Sequence, residues 1–303
     1  MSFYFRKTGQ YLLALFGVLT LSFFLVYKAP AGDPTKTMLG FQATEEDIRS
    51  LRRELGLDRP LIVQYAIYCK RLLTGHLGRS FISDFDIGRE LARRFPLTLA
   101  LAATATLIAL VGGVLLGLLS VLYKKADPLA AFFAIGLGSV PVFYLGLLVV
   151  WFFGYKLNLF PISGYKGGMN VLPPALVLAL HPMANVARIT AVELDRILKQ
   201  DYIRTAYAMG FPRRRVVGKF ALKNALLSVV SSLSNGFAML LSGTFFVEYI
   251  FGWPGVGLLA VDAMLNYDYP VIQSIVLLTA VSFILINLAT DFLYALVDPR
   301  VRG

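Results

Sequence analysis

The chain has 303 residues, of which 57% are hydrophobic and only 16% are charged, and its mean hydropathy is +0.68. Soluble domains carry roughly 25% charged residues, so this composition excludes an ordinary soluble protein and favours an integral membrane protein. The net charge of +11 does not indicate a nucleic-acid partner, because the basic residues flank apolar segments in the way that sets membrane topology.

Six charge-free segments are long enough to cross a bilayer, which takes about 20 apolar residues in a helix. They are 8–27, 95–123, 128–155, 167–187, 224–247 and 269–290. A seventh segment, 249–261, is short and broken by three glycines and a proline, so we expect a re-entrant or surface hairpin there. The prediction is an all-α integral membrane protein with six transmembrane helices and both termini on one side.

The ends of two spans carry local signals. Ala29-Pro-Ala31 resembles a signal-peptidase site, but signal-peptide cores run about 7–15 residues, so we expect the longer first span to be retained as a helix. Asp127-Pro128 is a cap and first-turn proline for the third span. In the second span, the spacing of Gly113 and Gly117 permits close helix–helix approach.

The distribution of Lys and Arg among the short loops predicts the orientation of the chain. Basic residues concentrate on one side, at 6–7, 124–125, 188–223 and 300–302, whereas 248–268 contains none. The basic side is therefore predicted to be cytoplasmic. The long stretch 28–94 is predicted to lie outside although it holds twelve Lys or Arg, and it is the one count that disagrees with this orientation. Long loops have little influence on orientation, so the prediction stands.

The same reasoning divides the chain into a first part, 1–29, with the cytoplasmic N-terminus and first helix, an external subdomain, 30–94, and a transmembrane core, 95–303. In the external part, Glu45–Leu55 has helical apolar spacing, with Thr44 suited to its start and Gly56 to its end. A second helix is expected from Pro60 to Leu73.

The segment 188–223 breaks the apolar pattern with nine Lys or Arg in 36 positions. Within it, Asp201 to Met209 reads as a short helix, Gly210 as its left-handed end, and Pro212 as the start of the next helix. The short helix has a small apolar face, and its small residues permit close approach of a partner; these residues are Ile203, Thr205, Ala206, Tyr207 and Phe211. This pattern favours a docking site for a soluble partner over a solvated loop whose charges only fix topology.

Several motifs carry a family resemblance over nearly the whole chain. They are Gly32-Asp33-Pro34, Gly56-Leu-Asp-Arg-Pro60-Leu-Ile-Val-Gln-Tyr65, Leu77-Gly-Arg-Ser80, Asp201-Tyr-Ile-Arg-Thr-Ala206 followed by Gly210, Glu248-Tyr-Ile-Phe-Gly-Trp-Pro254-Gly-Val-Gly257, Asp268-Tyr-Pro270-Val-Ile-Gln273 and Asp298-Pro-Arg300. Together they resemble the permease subunits of bacterial ABC importers, and in particular the first, B-type permease of the oligopeptide/dipeptide/nickel family. Two departures are Arg204, where the "EAA loop" of such permeases has glutamate, and Ser228, where the family usually has proline shortly after Lys223-Asn-Ala-Leu-Leu227.

The resemblance implies a type I importer fold in the bacterial inner membrane and a set of partners. These are a homologous second permease, two cytosolic ABC ATPase subunits and an extracytoplasmic solute-binding protein, around a chain embedded in lipid. No phosphate loop of the form G-x-x-x-x-G-K-[ST] occurs in the sequence, so the chain is not expected to be an enzyme or to bind a cofactor, and ATP-Mg belongs to the partners. Segment 199–217 would couple to the ATPase through Asp201, Tyr202, Ile203, Arg204, Thr205, Ala206, Tyr207, Gly210, Phe211 and Arg213.

Candidates for the translocation pathway or outer gate are His181, Asn185, Glu248, Trp253 and Asp268. Two of them have alternatives: His181 as a polar residue in helix packing, and Trp253 as part of an aromatic belt. A single His makes a poor metal site, so no metal is predicted.

The resemblance makes peptides the expected cargo, with nickel or other metal chelates, glutathione or another small solute as alternatives. A stand-alone channel or secondary transporter would place paired charges or broken helices at mid-bilayer, and a receptor would need an effector element. Neither feature is found in the sequence.

Overall fold

The computed structural model describes residues 2–28, 35, 39, 44–56, 58–123, 136, 140–164 and 168–297. All extended regular elements within these ranges are helices. The chain forms two compact units, one of Met1–Pro96 with Leu258–Ile284 and the other of Leu97–Gly257 with Leu285–Gly303. Several of the sequence features lie outside the described residues, namely 29–31, 32–34, 124–125, 127–128 and 298–302.

Three helices are described in the N-terminal part of the chain, before the long second span, within residues 2–28, 44–56 and 58–86. Their bounds are α1 Ser2–Lys28, α2 Glu45–Leu55 and α3 Leu61–Leu73. The cap predicted for α2 is confirmed: the Thr44 hydroxyl accepts a hydrogen bond from Asp47 N, and Asp47 Oδ2 accepts one from Thr44 N at 3.1 Å. The Thr44 hydroxyl also donates to Asp47 Oδ2, and this bond, followed by the one from Thr44 N, lowers the pKa of the Asp47 carboxyl. Gly56, with φ of +70°, ends α2 in the left-handed conformation.

The helices of the membrane core follow in chain order. They are α4 Ile87–Leu122, α5 Val142–Val149 continuing as a π-helix over Val150–Lys156, α6 Leu172–Leu198, α7 Asp201–Ala208, α8 Leu222–Phe251, α9 Val256–Leu265 and α10 Tyr269–Val297. A helical turn, Arg213–Arg215, and a π-helical segment, Val216–Ala221, lead into α8. α6 continues eleven residues past the predicted membrane edge at 187, so it delivers the chain directly to α7.

The central helices of the second unit pack around small residues. Ala105, Ala109, Ala175 and Ala179 belong to a buried cluster that also takes in Trp253. Gly113 and Gly117 allow α4 to touch α6, because a Cβ at Gly113 would lie 2.6 Å from the Val186 side chain. At Gly117 it would lie 2.6 Å from the carbonyl oxygen of Ala187. The close approach predicted from the Gly113–Gly117 spacing is therefore confirmed.

Within the described residues, three helices are long and apolar enough to cross a membrane, namely Ile87–Leu122, Leu172–Leu198 and the part of α10 from Tyr269 to Thr290. A fourth is obtained if Gly243–Phe251 and Val256–Leu265, bent at a short break, count as one span. Shorter apolar helices, Gly9–Phe24 and Val142–Lys156, lie within the predicted first and third spans or overlap them. The segment 249–261, predicted as a hairpin, contains the end of α8, a turn at Gly252–Gly255 and the start of α9.

Candidate functional site

The candidate coupling site is built on α7. The helix starts at Asp201, whose carboxylate suits a helix N-terminus, and Met209 N closes its last turn on the Thr205 carbonyl at 3.0 Å. Gly210 follows with φ of +81°, and Pro212 opens the next helical turn from an extended conformation. The predicted order of helix, left-handed glycine and proline is therefore confirmed.

The inner face of α7 packs against the chain itself. Ile203 is completely buried and Ala206 is 4% exposed. They join a cluster that contains Leu194 and Ile197 of α6 and Val216, Val217, Ala221 and Ala225 of the following helix, with Phe211 packed at its edge. This corrects one expectation: Ala206 does not offer a small surface to a partner, because its side chain lies in the hydrophobic core beneath the helix.

The outer face of α7 is free of the chain's own core. Its exposed residues are Asp201, Tyr202, Arg204, Thr205, Tyr207, Ala208 and Met209. Met209 is 69% exposed, which is high for a long apolar side chain at the end of a helix. The Arg204–Asp201 ion pair spans 3.7 Å and is solvent-exposed, so it adds little stability and leaves both groups available to a partner. A mixed surface of aromatic, Met and Arg side chains is typical of protein interfaces.

Two of the three arginines after Pro212 hold the candidate coupling segment, 199–217, to the end of α4, and the third contacts Phe211 within the segment. Arg213 donates to the carbonyl of Val121 near the end of α4 at 2.9 Å. Arg214 donates to the Tyr123 hydroxyl at 2.8 Å. The Arg215 guanidinium lies 5.0 Å from the centre of the Phe211 ring. Sequence reasoning interpreted this run chiefly as a topology signal and missed these contacts, because nothing in the local pattern indicates the distant partners on α4.

Two of the gate candidates, Glu248 and Trp253, are buried within the second unit. Glu248 is completely buried, and its Oε2 accepts a hydrogen bond from Gly257 N at 2.6 Å. Trp253 is 3% exposed and donates from Nε1 to the Leu97 carbonyl at 3.1 Å. This burial rules out the aromatic-belt interpretation of Trp253. The two side chains hold the turn between α8 and α9 in place.

The glycines of this turn are required by close packing. Gly252 has φ of +60°, and a Cβ at Gly255 would lie closer than 3.0 Å to the Glu248 carboxylate and to the Thr98 hydroxyl. The Thr98 hydroxyl also accepts a hydrogen bond from Val256 N at 2.9 Å. Gly255 and Gly257 thus allow the turn to pack against the buried Glu248 carboxyl group, whereas Gly252 is required by its left-handed backbone.

In the first unit, Asp268 is a second buried carboxyl group that holds a turn through hydrogen bonds, as Glu248 does in the second unit. It is 4% exposed, and its carboxylate accepts hydrogen bonds from the Ser80 hydroxyl at 2.5 Å and from Phe81 N at 3.2 Å. Ser80 in turn accepts from Ser83 N at 3.0 Å. Two motifs of the family resemblance, 77–80 and 268–273, therefore meet at one buried carboxylate, although 188 residues separate Ser80 from Asp268.

His181 and Asn185 lie on an exposed face of α6 together with Arg188. Their spacing of four and three residues places all three on one side of the helix. Arg188 donates to the Asn185 side-chain oxygen at 3.3 Å. Packing inside this chain, the alternative considered for His181, is therefore not what the structure shows. Among the described residues, no group of three His, Cys, Asp or Glu side chains is arranged to hold a metal ion.

Comparisons with known proteins identify the family to which this chain belongs. Residues 109–303 match the family model described as "Binding-protein-dependent transport system inner membrane component", and residues 1–102 match the model for its N-terminal part. The glutathione transport system permease protein GsiC of Escherichia coli O6:H1 is 37% identical over 290 residues, covering 95% of this chain and 94% of that protein. The protein of the same name from Pectobacterium atrosepticum is 35% identical over 304 residues, covering 100% and 99%.

Among solved structures, the inward-facing MetNI methionine ABC transporter superposes with a TM-score of 0.55 at 20% identity, covering 69% of this chain and 96% of that one. The likeness shows the fold alone. The helical membrane core, with a short helix between two long ones, therefore has a fold like that of type I ABC importers. The chain belongs to the family of inner membrane components of binding-protein-dependent transport systems, in its peptide/nickel branch, and is a permease subunit.

Proposed function

We propose that this chain imports a small peptide-like solute of the glutathione class, as one of two permease subunits in a binding-protein-dependent importer. The assignment of the cargo rests on the likeness to glutathione permeases along nearly the full length of both chains. A short peptide satisfies the expectation of a peptide cargo, and glutathione is a tripeptide. Nickel or other metal chelates remain the competing cargo.

The proposed drive is ATP hydrolysis by cytosolic partner subunits, transmitted through α7. Two features support this role: an outer face that the chain leaves exposed, and an inner face anchored by Ile203 and Ala206 in the core between α6 and α8. A helix that is anchored in the core on one side and exposed on the other can transmit a displacement, whereas a solvated loop would deform. This assignment places α7 and both termini in the cytoplasm.

The proposed pathway for the solute runs along the polar face of α6 that carries His181 and Asn185. Polar groups on a membrane helix are costly against lipid and commonly face a bundle interior or an aqueous cavity. Because these side chains are exposed in the single chain, they are available to the pathway and to the homologous second permease.

Docking of the ATPase is tested by Tyr207→Arg, since Tyr207 is 42% exposed on the outer face of α7. We expect the assembled complex to lose most of its ATPase subunit on affinity purification and uptake to fall at least tenfold, because a bulky cation replaces an aromatic contact. Tyr155→Arg is the matched control, an exposed tyrosine at the end of α5. Full ATPase recovery with Tyr207→Arg would refute the docking role. Ala206→Arg is unsuitable, because it buries a charge and confuses docking with misfolding.

The cargo is tested by uptake into proteoliposomes that contain both permeases, the ATPases and the companion binding protein. We expect ATP-dependent accumulation of radiolabelled glutathione that unlabelled glutathione suppresses and nickel–histidine does not. Accumulation of nickel without glutathione would overturn the cargo assignment. ATP-dependent uptake of either solute would leave the importer assignment intact, so the two conclusions are separable.

A further inference from the structure

Helix α3 packs on the C-terminal part of the first membrane helix, within the first unit. The Tyr65 hydroxyl is hydrogen-bonded to the Thr20 hydroxyl at 2.7 Å. The Phe23 ring, fully buried, lies 5.2 Å from the Tyr65 ring and 5.5 Å from the Tyr68 ring, measured between centres. The Phe24 ring stacks on Tyr65 at 6.2 Å. One face of α3 is therefore fixed to α1 by aromatic and hydrogen-bonded contacts.

These contacts set the depth of α3 relative to the bilayer. Thr20 precedes Lys28, the last residue of α1, by eight residues, which is about 12 Å along a helix axis. Half of the hydrocarbon thickness is about 15 Å. With Lys28 at headgroup level, Thr20 lies below the hydrocarbon boundary of that leaflet. Because Tyr65 reaches Thr20, the axis of α3 lies at about the level of the interface and not above it in water.

The first half of α3 exposes several apolar side chains. Ile62 is 83% exposed, and Leu61, Val63 and Ala66 are also exposed. The second half ends with two exposed cations, Lys70 and Arg71. Helices that lie in a membrane interface bury an apolar face among acyl chains and direct Lys and Arg to the headgroups. At the depth of the interface, acyl chains would cover the Ile62 side chain that the protein leaves exposed.

We propose that α3 is an interfacial helix whose Leu61, Ile62, Val63 and Ala66 contact acyl chains, while Lys70 and Arg71 contact phosphate groups. The partner of this surface is the phospholipid bilayer, in the leaflet that contains the C-terminal end of α1. The external subdomain is then attached to the membrane through its own lipid contacts as well as through α1. This inference does not depend on the cargo or on the ATPase.

The proposal is tested by electron paramagnetic resonance on the complete transporter in proteoliposomes. In a Cys69→Ser background, Ile62→Cys is labelled with a nitroxide, and collision rates with oxygen and with a water-soluble nickel chelate are compared. Val63→Cys provides a second site if Ile62→Cys assembles poorly. The control is Ser50→Cys, exposed on α2 and assigned to water.

We expect the ratio of oxygen to nickel collisions at Ile62→Cys to exceed that at Ser50→Cys at least fivefold, as for a site among acyl chains. An equal ratio would place the site in water and overturn the proposal. Protection from both reagents would place it against another protein subunit and would overturn it equally. In either case the import assay described above would be unaffected, so a failure here does not bear on the transport function.

Discussion

At the scale of single residues, the buried carboxylates show how chemistry and position combine. The sequence makes Glu248 and Asp268 candidates for the translocation pathway or outer gate. Both are buried, and each accepts backbone N–H donors, from Gly257 and Phe81 respectively. A buried charge is tolerated only when such bonds compensate its lost hydration, so these side chains fix turns. Their substitution would act on transport through the geometry of those turns.

Gly210 gives the sharpest prediction for one residue. Its φ of +81° is strained for any residue with a Cβ, although the space around it is open. Gly210→Ala should cost about 1 kcal/mol through the left-handed backbone alone. Hydrogen exchange of the α7 amides should then rise about fivefold, and uptake should fall, since α7 loses its fixed end.

Gly218→Ala is the matched control for Gly210, because Gly218 also has open space around it but a helical backbone. It should leave both exchange and uptake near the level of the unsubstituted protein. Equal effects of the two substitutions would show that the left-handed conformation is not what holds the end of α7.

At the scale of elements, the helix pair α4–α6 depends on the absence of side chains. The backbone approach at Gly113 leaves no space for a methyl group, because the Met183 carbonyl oxygen and the Val186 side chain already occupy it. Helix association in lipid relies on such packing, since the surrounding acyl chains are as apolar as the side chains. The glycine pair is therefore a determinant of the helix–helix distance.

Gly113→Ala tests this packing. Overpacking costs roughly 1–3 kcal/mol, so the apparent melting temperature of the detergent-purified complex should drop by several degrees. Gly243→Ala is the comparison, because a Cβ there meets only the Leu178 side chain, at 3.9 Å. If both variants melted at the same temperature, close approach of α4 and α6 would not be limiting stability.

At the scale of the whole molecule, transport requires two states whose balance is shifted by contacts at a distant site. The coupling segment has contacts suited to passing on such a shift, since Arg213 and Arg214 attach it near the end of α4 and Ile203 attaches it to α6. These links are short and are made by charged or fully buried groups. A displacement of α7 would therefore be passed to two membrane helices at once.

The pathway proposal is also tested at this scale, by Asn185→Leu. We expect the KM for solute uptake to rise at least fivefold, because a polar contact is lost along the face of α6 that also carries His181. ATPase recovery should stay normal, since α7 is untouched. Leu176→Ala, at an exposed apolar position of the same helix, should change neither value. A normal KM with Asn185→Leu would move the pathway away from this face.

The amino-acid sequence alone predicts the helical membrane class, the family and the local signals: the cap at Thr44, the end of α7 at Gly210 and the short segment 201–212. Each follows from composition, from motif order or from backbone preferences within a few residues. Which faces these helices present follows only from their tertiary packing. Packing turns Ala206 inward and Met209 outward, joins Ser80 to Asp268 and Arg213 to Val121, and buries Glu248 beside Gly255 and Gly257. In a chain that is apolar almost throughout, periodicity cannot distinguish a lipid-facing side from a packed one, and contacts between residues about 90 or 190 positions apart leave no local pattern to read.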